Sequence, residues 1–194
     1  MKSAEEYISD FKEVVDLLKE QVENQRNPKN SVLNKTLLTE EDITEMVQKT
    51  TNLMQRAIVT VTYDSGARVS EICNLKIKDI SIDKDAFGVE QFATIKLNGK
   101  TGTRVIPLEF SYRDLVAWLN VHPYNSKKTS SDYLFLDLRP SAYGQPLTPK
   151  QIQFLFFQVA QRSGINKKHV TPHLFRHSRL TELAKIYREA ELKV

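Results

Sequence analysis

Apolar residues recur at every third or fourth position over several stretches of the chain, a spacing that places them on one face of an α-helix. The first of these stretches covers residues 3–23 and is followed by a polar, proline-containing run at residues 24–31. The pattern predicts an amphipathic helix and then a linker. We therefore expect two parts in the chain, an N-terminal helix and linker at residues 1–31 and one larger domain at residues 32–194.

Residues that cap helices mark the ends of the remaining helical stretches. Thr39 precedes three acidic residues and an apolar face, as an N-terminal cap does. Gly66 follows a strongly apolar stretch and can end a helix in the left-handed conformation. Two later helices are expected to begin at the Thr148-Pro149 and Thr171-Pro172 pairs, because threonine caps a helix and proline fits its first turn. The predicted helices lie at residues 40–47, 53–65, 68–75, 112–120, 149–163 and from 172 onwards.

The period of the pattern falls to two between Ile77 and Leu108, where apolar residues alternate roughly with polar ones. Residues 98–102 interrupt this stretch with the sequence Asn-Gly-Lys-Thr-Gly, which is typical of a hairpin turn. The pattern predicts a β-hairpin preceded by a third antiparallel strand. The expected fold class is mainly α with a small three-stranded antiparallel sheet, an α+β arrangement.

The composition of the 194-residue, 22.4 kDa chain is that of a globular protein, with 40% hydrophobic and 27% charged residues. The single cysteine, Cys73, cannot form an intrachain disulfide, which is typical of a reducing compartment. No stretch approaches the roughly 18 uninterrupted apolar residues of a membrane span, and the first ten residues lack the pattern of a secretion signal. We expect an intracellular protein that is neither secreted nor embedded in a membrane.

The net charge of +4 is unevenly distributed along the chain. Residues 1–60 hold 8 Lys or Arg and 11 Asp or Glu, whereas residues 61–194 hold 20 and 13. Between Asp137 and Glu182 there are seven basic residues and no acidic one, in a stretch that is still rich in apolar residues. This pattern favours a folded surface that binds phosphate groups, the alternative being an ordinary solvated basic face.

One part of this basic stretch combines two histidines with an arginine at helical spacing. If Thr171 caps the helix, His173 and Arg176 lie three residues apart on one face of its first turns, and His177 adjoins them. Free N–H groups and the helix dipole also favour an anion at this end of a helix. The residues therefore predict a phosphate pocket.

Two other interpretations of these histidines remain. His169, His173 and His177 repeat every four residues, as metal ligands can. We expect no metal site, because the proline after Thr171 biases that residue away from helical geometry and the segment offers no carboxylate ligand. Buried histidines with a purely structural role are the second alternative.

Two further basic positions lie beside glycines. Arg68 follows Gly66 closely at the start of a predicted helix, where Glu71, three residues later, can hold its guanidinium group. Lys100 lies on the glycine-flanked hairpin turn, and Arg104 follows it. Neither is informative alone, because surface Arg–Glu pairs and turn lysines are common.

Together, however, the three stretches resemble the tyrosine recombinase, or phage integrase, family. Residues 66–71 are similar to the first arginine motif of that family, residues 173–177 to its His-x-x-Arg motif, and residues 99–108 to its lysine-bearing hairpin. The order of the motifs and the helices and strands between them agree with the family over about residues 36–194. Residues 117–123 resemble archaeal and archaeal-virus members in particular.

The resemblance implies site-specific DNA recombination or integration, by strand cleavage and rejoining through a phosphotyrosine intermediate. Arg68 and Arg176 would hold the phosphate oxygens, Lys100 would protonate the leaving oxygen, and His173 would act as a hydrogen-bond donor or acid–base group. Glu71 and His177 would orient the pocket, and no cofactor would be required. The implied partners are double-stranded DNA and other recombinase protomers in a tetrameric assembly, in the cytoplasm of a prokaryote or of a virus's prokaryotic host. The basic residues expected to contact DNA are Arg104, Lys150, Lys167, Lys168 and Arg179.

The position of the nucleophile departs from the family pattern, which places a tyrosine well beyond the His-x-x-Arg motif. Tyr187 is the only tyrosine after Arg176, and on a continuous helix it would lie about 16 Å further along the axis. We therefore expect a chain truncated at its C-terminus before the nucleophilic tyrosine, which holds the scissile phosphate but does not cleave alone. The alternatives are a non-catalytic DNA-binding fragment that regulates or competes with a full-length recombinase, and an enzyme for a small phosphorylated ligand.

Overall fold

A computed structural model describes five stretches of the chain, residues 37–84, 90–99, 102–125, 132–165 and 170–191. The N-terminal helix and linker expected at residues 1–31 lie outside these stretches. None of the described helices is both long enough and apolar enough to span a membrane. The helices are α1 (Glu40–Gln48), α2 (Leu53–Ser65), α3 (Val69–Asn74), α4 (Tyr112–Asn120), α5 (Pro149–Ser163) and α6 (Pro172–Glu191), and the strands are β1 (Ile80–Lys84), β2 (Glu90–Gly99) and β3 (Gly102–Leu108).

The capping residues begin and end the helices where the sequence predicted. The Thr39 hydroxyl accepts a hydrogen bond from the Asp42 backbone N–H at 3.2 Å, and the Asp42 carboxylate accepts one from the Thr39 N–H at 2.9 Å. Gly66 adopts the left-handed conformation, with φ of 54°, and ends α2. Thr171 caps α6, since its hydroxyl accepts from the Leu174 N–H at 3.2 Å.

The three strands form one antiparallel sheet in the order β1-β2-β3. Strands β2 and β3 pair down to Gly99 opposite Gly102, so that the hairpin turn lies between these two glycines. Ile77, which the alternating pattern assigned to the sheet, instead begins a short 3₁₀ turn. The cause is local, because the Asp79 carboxylate accepts a hydrogen bond from the Lys76 N–H at 3.1 Å and closes the turn.

Helix α2 runs through the centre of the core. Every residue from Ala57 to Ser65 on this helix is buried, and the helix packs against α1, α4, α6 and β3. The hydroxyl of Thr62 donates to the Ile58 carbonyl at 2.6 Å, which satisfies a polar group that the core would otherwise leave unpaired. This rigid helix ends at Gly66 and leads directly into Arg68, so the core fixes the position of the first arginine motif.

The Trp118 and His122 side chains connect α4 to the segment before α5. The Trp118 indole N–H donates to the Leu134 carbonyl at 2.8 Å, and His122 Nε2 lies 3.1 Å from the same oxygen. Both side chains are buried, and burial lowers the pKa of His122. Trp118 and His122, which lie in the segment that resembles archaeal relatives, therefore join α4 to the segment around Leu134. The structure as a whole confirms the predicted fold class, mainly helical with a small three-stranded antiparallel sheet.

Candidate functional site

Arg68 stands at the junction between the central helix and α3. It follows the left-handed turn at Gly66 and serves as the N-terminal cap residue of α3 in extended conformation. Its backbone N–H donates to Glu71 Oε2 at 2.7 Å, and its Nη1 lies 3.3 Å from Glu71 Oε1. The Arg68 side chain remains 39% exposed. The predicted contact between Arg68 and Glu71 is therefore present, but it is long and leaves the guanidinium group accessible.

Glu71 makes its shortest side-chain contacts with Arg104, which lies 33 residues later on β3. Arg104 Nη1 donates to Glu71 Oε1 at 2.8 Å, and Nη2 donates to Oε2 at 2.6 Å. This is a bidentate ion pair in which both side chains are buried. Burial disfavours ionisation of Glu71, but the hydrogen bonds from Arg104 and from the Arg68 backbone outweigh it. They lower the pKa of Glu71 to about 2.

Gly99, the last residue of β2, covers this ion pair. A side-chain carbon at position 99 would overlap Glu71 Oε1 and would lie 3.3 Å from Arg104 Nη1 and 3.5 Å from Arg68 Nη1. The backbone of the hairpin therefore approaches the Glu71 carboxylate as closely as the absence of a side chain allows. Lys100 follows Gly99 in the sequence and lies outside the described residues.

Arg176 reaches the same place from α6. Its Nη1 donates a hydrogen bond to the Gly66 carbonyl, two residues before Arg68. Burial and the positive charges of Arg68 and Arg104 together lower the pKa of Arg176 to about 10. Helix α6 thus brings its arginine beside the first arginine motif.

The two histidines of the second motif lie on the first turns of α6. His173 is exposed and His177 is half-buried. Burial, and then the proximity of His173, lowers the pKa of His177. Among the described residues no group of three or more His, Cys, Asp or Glu side chains could hold a metal ion, and His169 lies outside them.

Four side chains that meet at the end of α2 form what we call the arginine cluster: Arg68, Glu71, Arg104 and Arg176. Three guanidinium groups face one carboxylate, which leaves the cluster with a formal charge of +2. Partly buried guanidinium groups interact with an anion more strongly than fully solvated ones do. The cluster can therefore hold a phosphate group through paired N–H donors.

The basic residues expected to contact DNA differ in their surroundings. Lys150 is exposed on the first turn of α5, whereas Lys167 and Lys168 lie outside the described residues. Arg104, expected on the DNA-binding surface, is instead 8% exposed and paired with Glu71. It faces inward because its strand packs one side against the core.

Arg179 also lies inside the protein rather than on an open basic surface. Its guanidinium group contacts Asp64 at 3.4 Å and Glu182 at 3.1 Å, and it lies over the Tyr63 ring at 5.3 Å from the centroid. The side chain is only 21% exposed. These contacts to two carboxylates favour a role in joining α6 to α2.

The alternation of residues along β3 indicates that Arg104 points inward, which the spacing of the motifs does not. Arg104 lies on the same face of β3 as Ile106 and Leu108, and Leu108 is fully buried. Alternate residues of a strand share one face, so an arginine in phase with core residues is expected to point inward to a partner. The close approach of Gly99 had no such sign, because glycine at a hairpin turn is common.

Comparison with known proteins gives matches over most of the chain. The model of the phage integrase family matches residues 36–188. Tyrosine recombinase XerA of Pyrococcus horikoshii is 33% identical over 168 residues, which cover 86% of this chain and 53% of that protein. XerA of Pyrococcus furiosus is 35% identical over 173 residues, covering 86% of this chain and 54% of that one.

A solved structure shows the same fold. The crystal structure of XerA recombinase matches with a TM-score of 0.64 and 26% identity, over 77% of this chain and 51% of that chain. The chain spans about half the length of the curated relatives it matches. The family match covers most of the 194 residues and includes all four members of the arginine cluster. The chain therefore belongs to the phage integrase family, the tyrosine recombinases.

Proposed function

We propose that this chain takes part in site-specific recombination by holding a phosphodiester of double-stranded DNA between Arg68 and Arg176. The observation that carries the proposal is the position of Arg176, whose guanidinium group donates to the Gly66 carbonyl, two residues before Arg68, so that two arginines are held close together. Holding like charges together costs free energy, and an anion bound between them offsets that cost. A phosphate group carries several acceptor oxygens, so it can bind two guanidinium groups at once.

The chemistry proposed for the site is transesterification at phosphorus. A tyrosine hydroxyl attacks the phosphorus atom and passes its proton to a base, a role open to His173, while the bond from phosphorus to the leaving oxygen breaks. The product is a phosphotyrosine and a free hydroxyl on the DNA, and a hydroxyl of another strand later reverses the step. Arg68 and Arg176 stabilise the negative charge that develops on the non-bridging oxygens.

The remaining residues of the motifs are proposed to transfer protons and to orient the residues of the site. We propose that Lys100 gives its proton to the leaving oxygen, and that His173, exposed at the start of α6, donates a hydrogen bond or acts in acid–base catalysis. Gly99, the neighbour of Lys100 in the sequence, lies against Glu71 and thus beside the cluster. Glu71 and His177 orient the arginines and His173.

The proposed partners are double-stranded DNA and further recombinase protomers, and the proposed location is the cytoplasm of a prokaryotic cell. The relatives that support this are named tyrosine recombinases. Lys150, which is exposed, is proposed to contact the DNA backbone together with Lys167 and Lys168.

The source of the nucleophile is a separate part of the proposal. Helix α6 is continuous from Pro172 to Glu191, so Tyr187 lies eleven residues, or about 16 Å along the axis, beyond Arg176. We propose that Tyr187 is not the nucleophile and that residues 1–194 bind the phosphate without cleaving the strand. A non-catalytic role, in which this chain regulates or competes with a full-length recombinase, is the alternative that the same distance favours.

A DNA-binding measurement tests the phosphate site. We expect Arg68→Ala and Arg176→Ala each to weaken binding of a fluorescent duplex by about tenfold at low salt, with a smaller dependence of affinity on salt. Arg113→Ala is a suitable control, because Arg113 is exposed on the first turn of α4 and does not belong to the arginine cluster. Equal binding by all three variants, or stronger binding of a sugar phosphate than of DNA, would contradict the proposal.

A nicked DNA substrate that traps phosphotyrosine tests the nucleophile. We expect no covalent adduct with this chain alone. An adduct that disappears in Tyr187→Phe would show that Tyr187 attacks the phosphate, and it would overturn our assignment.

A further inference from the structure

We propose that Arg104 is a positioning residue that occupies Glu71 and thereby leaves Arg68 free to bind the phosphate. Arg104 does not itself contact DNA in this arrangement. The inference rests on the proposed phosphate site at Arg68 and Arg176. It assigns to Arg104 a role different from the direct DNA contact that its positive charge suggested.

The geometry of Arg104 is the first argument. Both terminal nitrogens of its guanidinium group donate to Glu71, at 2.8 and 2.6 Å, and its side chain is 8% exposed. A planar guanidinium group matches a carboxylate in this bidentate geometry, and the ion pair is sheltered from water. Glu71 therefore occupies the Nη1–Nη2 edge of Arg104, and burial of the side chain keeps the rest of the guanidinium group from a phosphate in solvent.

The distribution of hydrogen bonds on Glu71 is the second argument. Each carboxylate oxygen is shared between the two arginines, since Oε1 accepts from both side chains and Oε2 accepts from the Arg104 side chain and the Arg68 backbone. Arg104 holds the shorter contact to Oε1, 2.8 Å against 3.3 Å for Arg68. The Arg68 side chain consequently stays 39% exposed and weakly held.

These contacts predict what happens when Arg104 is removed. Glu71 would keep its negative charge, and of the two guanidinium groups left in the arginine cluster only that of Arg68 contacts it. Arg68 and Glu71 would then form the bidentate ion pair that Arg104 now makes with Glu71, because a buried carboxylate without a partner is strongly unfavourable. Arg68 would then be neutralised and turned away from the phosphate.

The backbone at Gly99 restricts a second possible response to the loss of Arg104, in which the Glu71 carboxylate turns away from Arg68 towards solvent. The backbone at position 99 lies directly over Glu71 Oε1, and Glu71 itself is 4% exposed. The carboxylate therefore has little room to turn towards solvent when Arg104 is absent.

The test measures DNA affinity of Arg104 variants in two backgrounds by fluorescence anisotropy of a labelled duplex. We expect Arg104→Met to weaken binding by about tenfold in the otherwise unchanged chain and to have little effect when Arg68 is already alanine. We expect the double variant Glu71→Gln with Arg104→Met to recover most of the lost affinity, because no carboxylate remains to capture Arg68. Arg113→Met serves as the control for loss of an arginine elsewhere on the protein, because Arg113 is exposed on α4.

The outcomes separate the inference from the function on which it rests. If Arg104→Met weakens binding equally with and without Arg68, then Arg104 acts on DNA directly or through its charge, and the inference is wrong while the phosphate site stands. If the double variant binds as poorly as Arg104→Met alone while both remain folded by circular dichroism, capture by Glu71 is not the cause and the inference is also wrong. Unchanged DNA affinity of Arg68→Ala would overturn both the inference and the proposed function.

Discussion

Arg176 donates a hydrogen bond from its guanidinium group to the backbone carbonyl of Gly66, a residue 110 positions earlier in the chain. Gly66 can present this carbonyl because it adopts the left-handed conformation, with φ of 54°, at the end of the central helix. The same turn directs the chain into Arg68. One backbone turn therefore sets the positions of both arginines proposed to hold the phosphate.

Gly66→Ala is expected to weaken phosphate binding as well as stability. The nearest atom to an added side-chain carbon is Leu180 Cδ2 at 3.7 Å, an ordinary contact, so the strain comes from the backbone conformation. A left-handed alanine costs about 1 kcal/mol or relaxes by rotating the carbonyl that Arg176 contacts. Urea denaturation and DNA anisotropy measure the two effects.

Gly164→Ala is the matched control for this prediction. Gly164 ends α5 in the same left-handed conformation, with φ of 70°, and no atom of the described residues lies within 4 Å of an added carbon. We expect a similar loss of stability with a smaller loss of DNA affinity than in Gly66→Ala, because Gly164 lies outside the arginine cluster and only its sequence neighbours Lys167 and Lys168 are proposed DNA contacts. Equal losses of affinity in both variants would show that the turn at Gly66 has no special relation to the site.

The two glycines of the hairpin are expected to respond to alanine for different reasons. An alanine at position 99 would overlap Glu71 Oε1 without backbone strain, whereas Gly102 has φ of 118° and no described residue places an atom within 4 Å of a carbon added there. Gly99→Ala should therefore disturb the Glu71–Arg104 pair and lower DNA affinity several-fold at neutral pH. Gly102→Ala should strain the turn while leaving that pair in place.

Nuclear magnetic resonance of the arginine side chains can separate these two effects. We expect the Nε–H resonances of Arg68 and Arg104 to shift in Gly99→Ala and to remain close to their original positions in Gly102→Ala. A shift in Gly102→Ala alone would mean that the shape of the turn, and not the contact of Gly99 with Glu71, controls the cluster.

Much of this architecture was accessible from the sequence because its causes are local. Thr39, Gly66 and the Thr148-Pro149 pair fix helix ends through the nearest few residues, and the structure has the helix ends where these residues predict them. Alternation along residues 90–108 likewise predicted the hairpin, since a strand exposes successive side chains on opposite faces. The prediction for Ile77 was wrong, because the Asp79 side chain accepts a hydrogen bond from the Lys76 N–H and this cap overrides the alternation.

The contacts within the site were harder to predict because they join distant parts of the chain. Sequence spacing paired Glu71 with Arg68, three residues away, but the shorter side-chain contacts go to Arg104, which the fold brings from 33 residues away. Arg179 was expected on the DNA surface because its sequence neighbourhood is basic, yet its partner Asp64 lies 115 residues earlier. Net charge along the sequence does not show which arginines face carboxylates in three dimensions.

Lys150 and Arg179 should therefore respond in opposite ways to neutral substitution. Lys150→Met removes an exposed cation and is expected to reduce the slope of log affinity against log salt by about 0.9, with little change in stability. Arg179→Met leaves Asp64 without that partner in the interior and is expected to cost about 2 kcal/mol of stability. Affinity across a salt series and urea denaturation distinguish the two. An unchanged salt slope for Lys150→Met would remove Lys150 from the proposed DNA contacts.

Glu71 should also give the protein a pH-dependent stability. Its pKa of about 2 in the folded protein lies below its ordinary value of 4.5, so the unfolded chain binds the proton more readily. The contribution to stability, about 3 kcal/mol from this shift, is complete above pH 4.5 and is lost as the pH falls towards 2. Glu71→Gln lacks this ionisation, so the difference in urea stability between the two proteins should be largest at neutral pH and should shrink below pH 4.5. A difference that stays constant across this range would mean that packing, and not the ionised pair with Arg104, makes position 71 important.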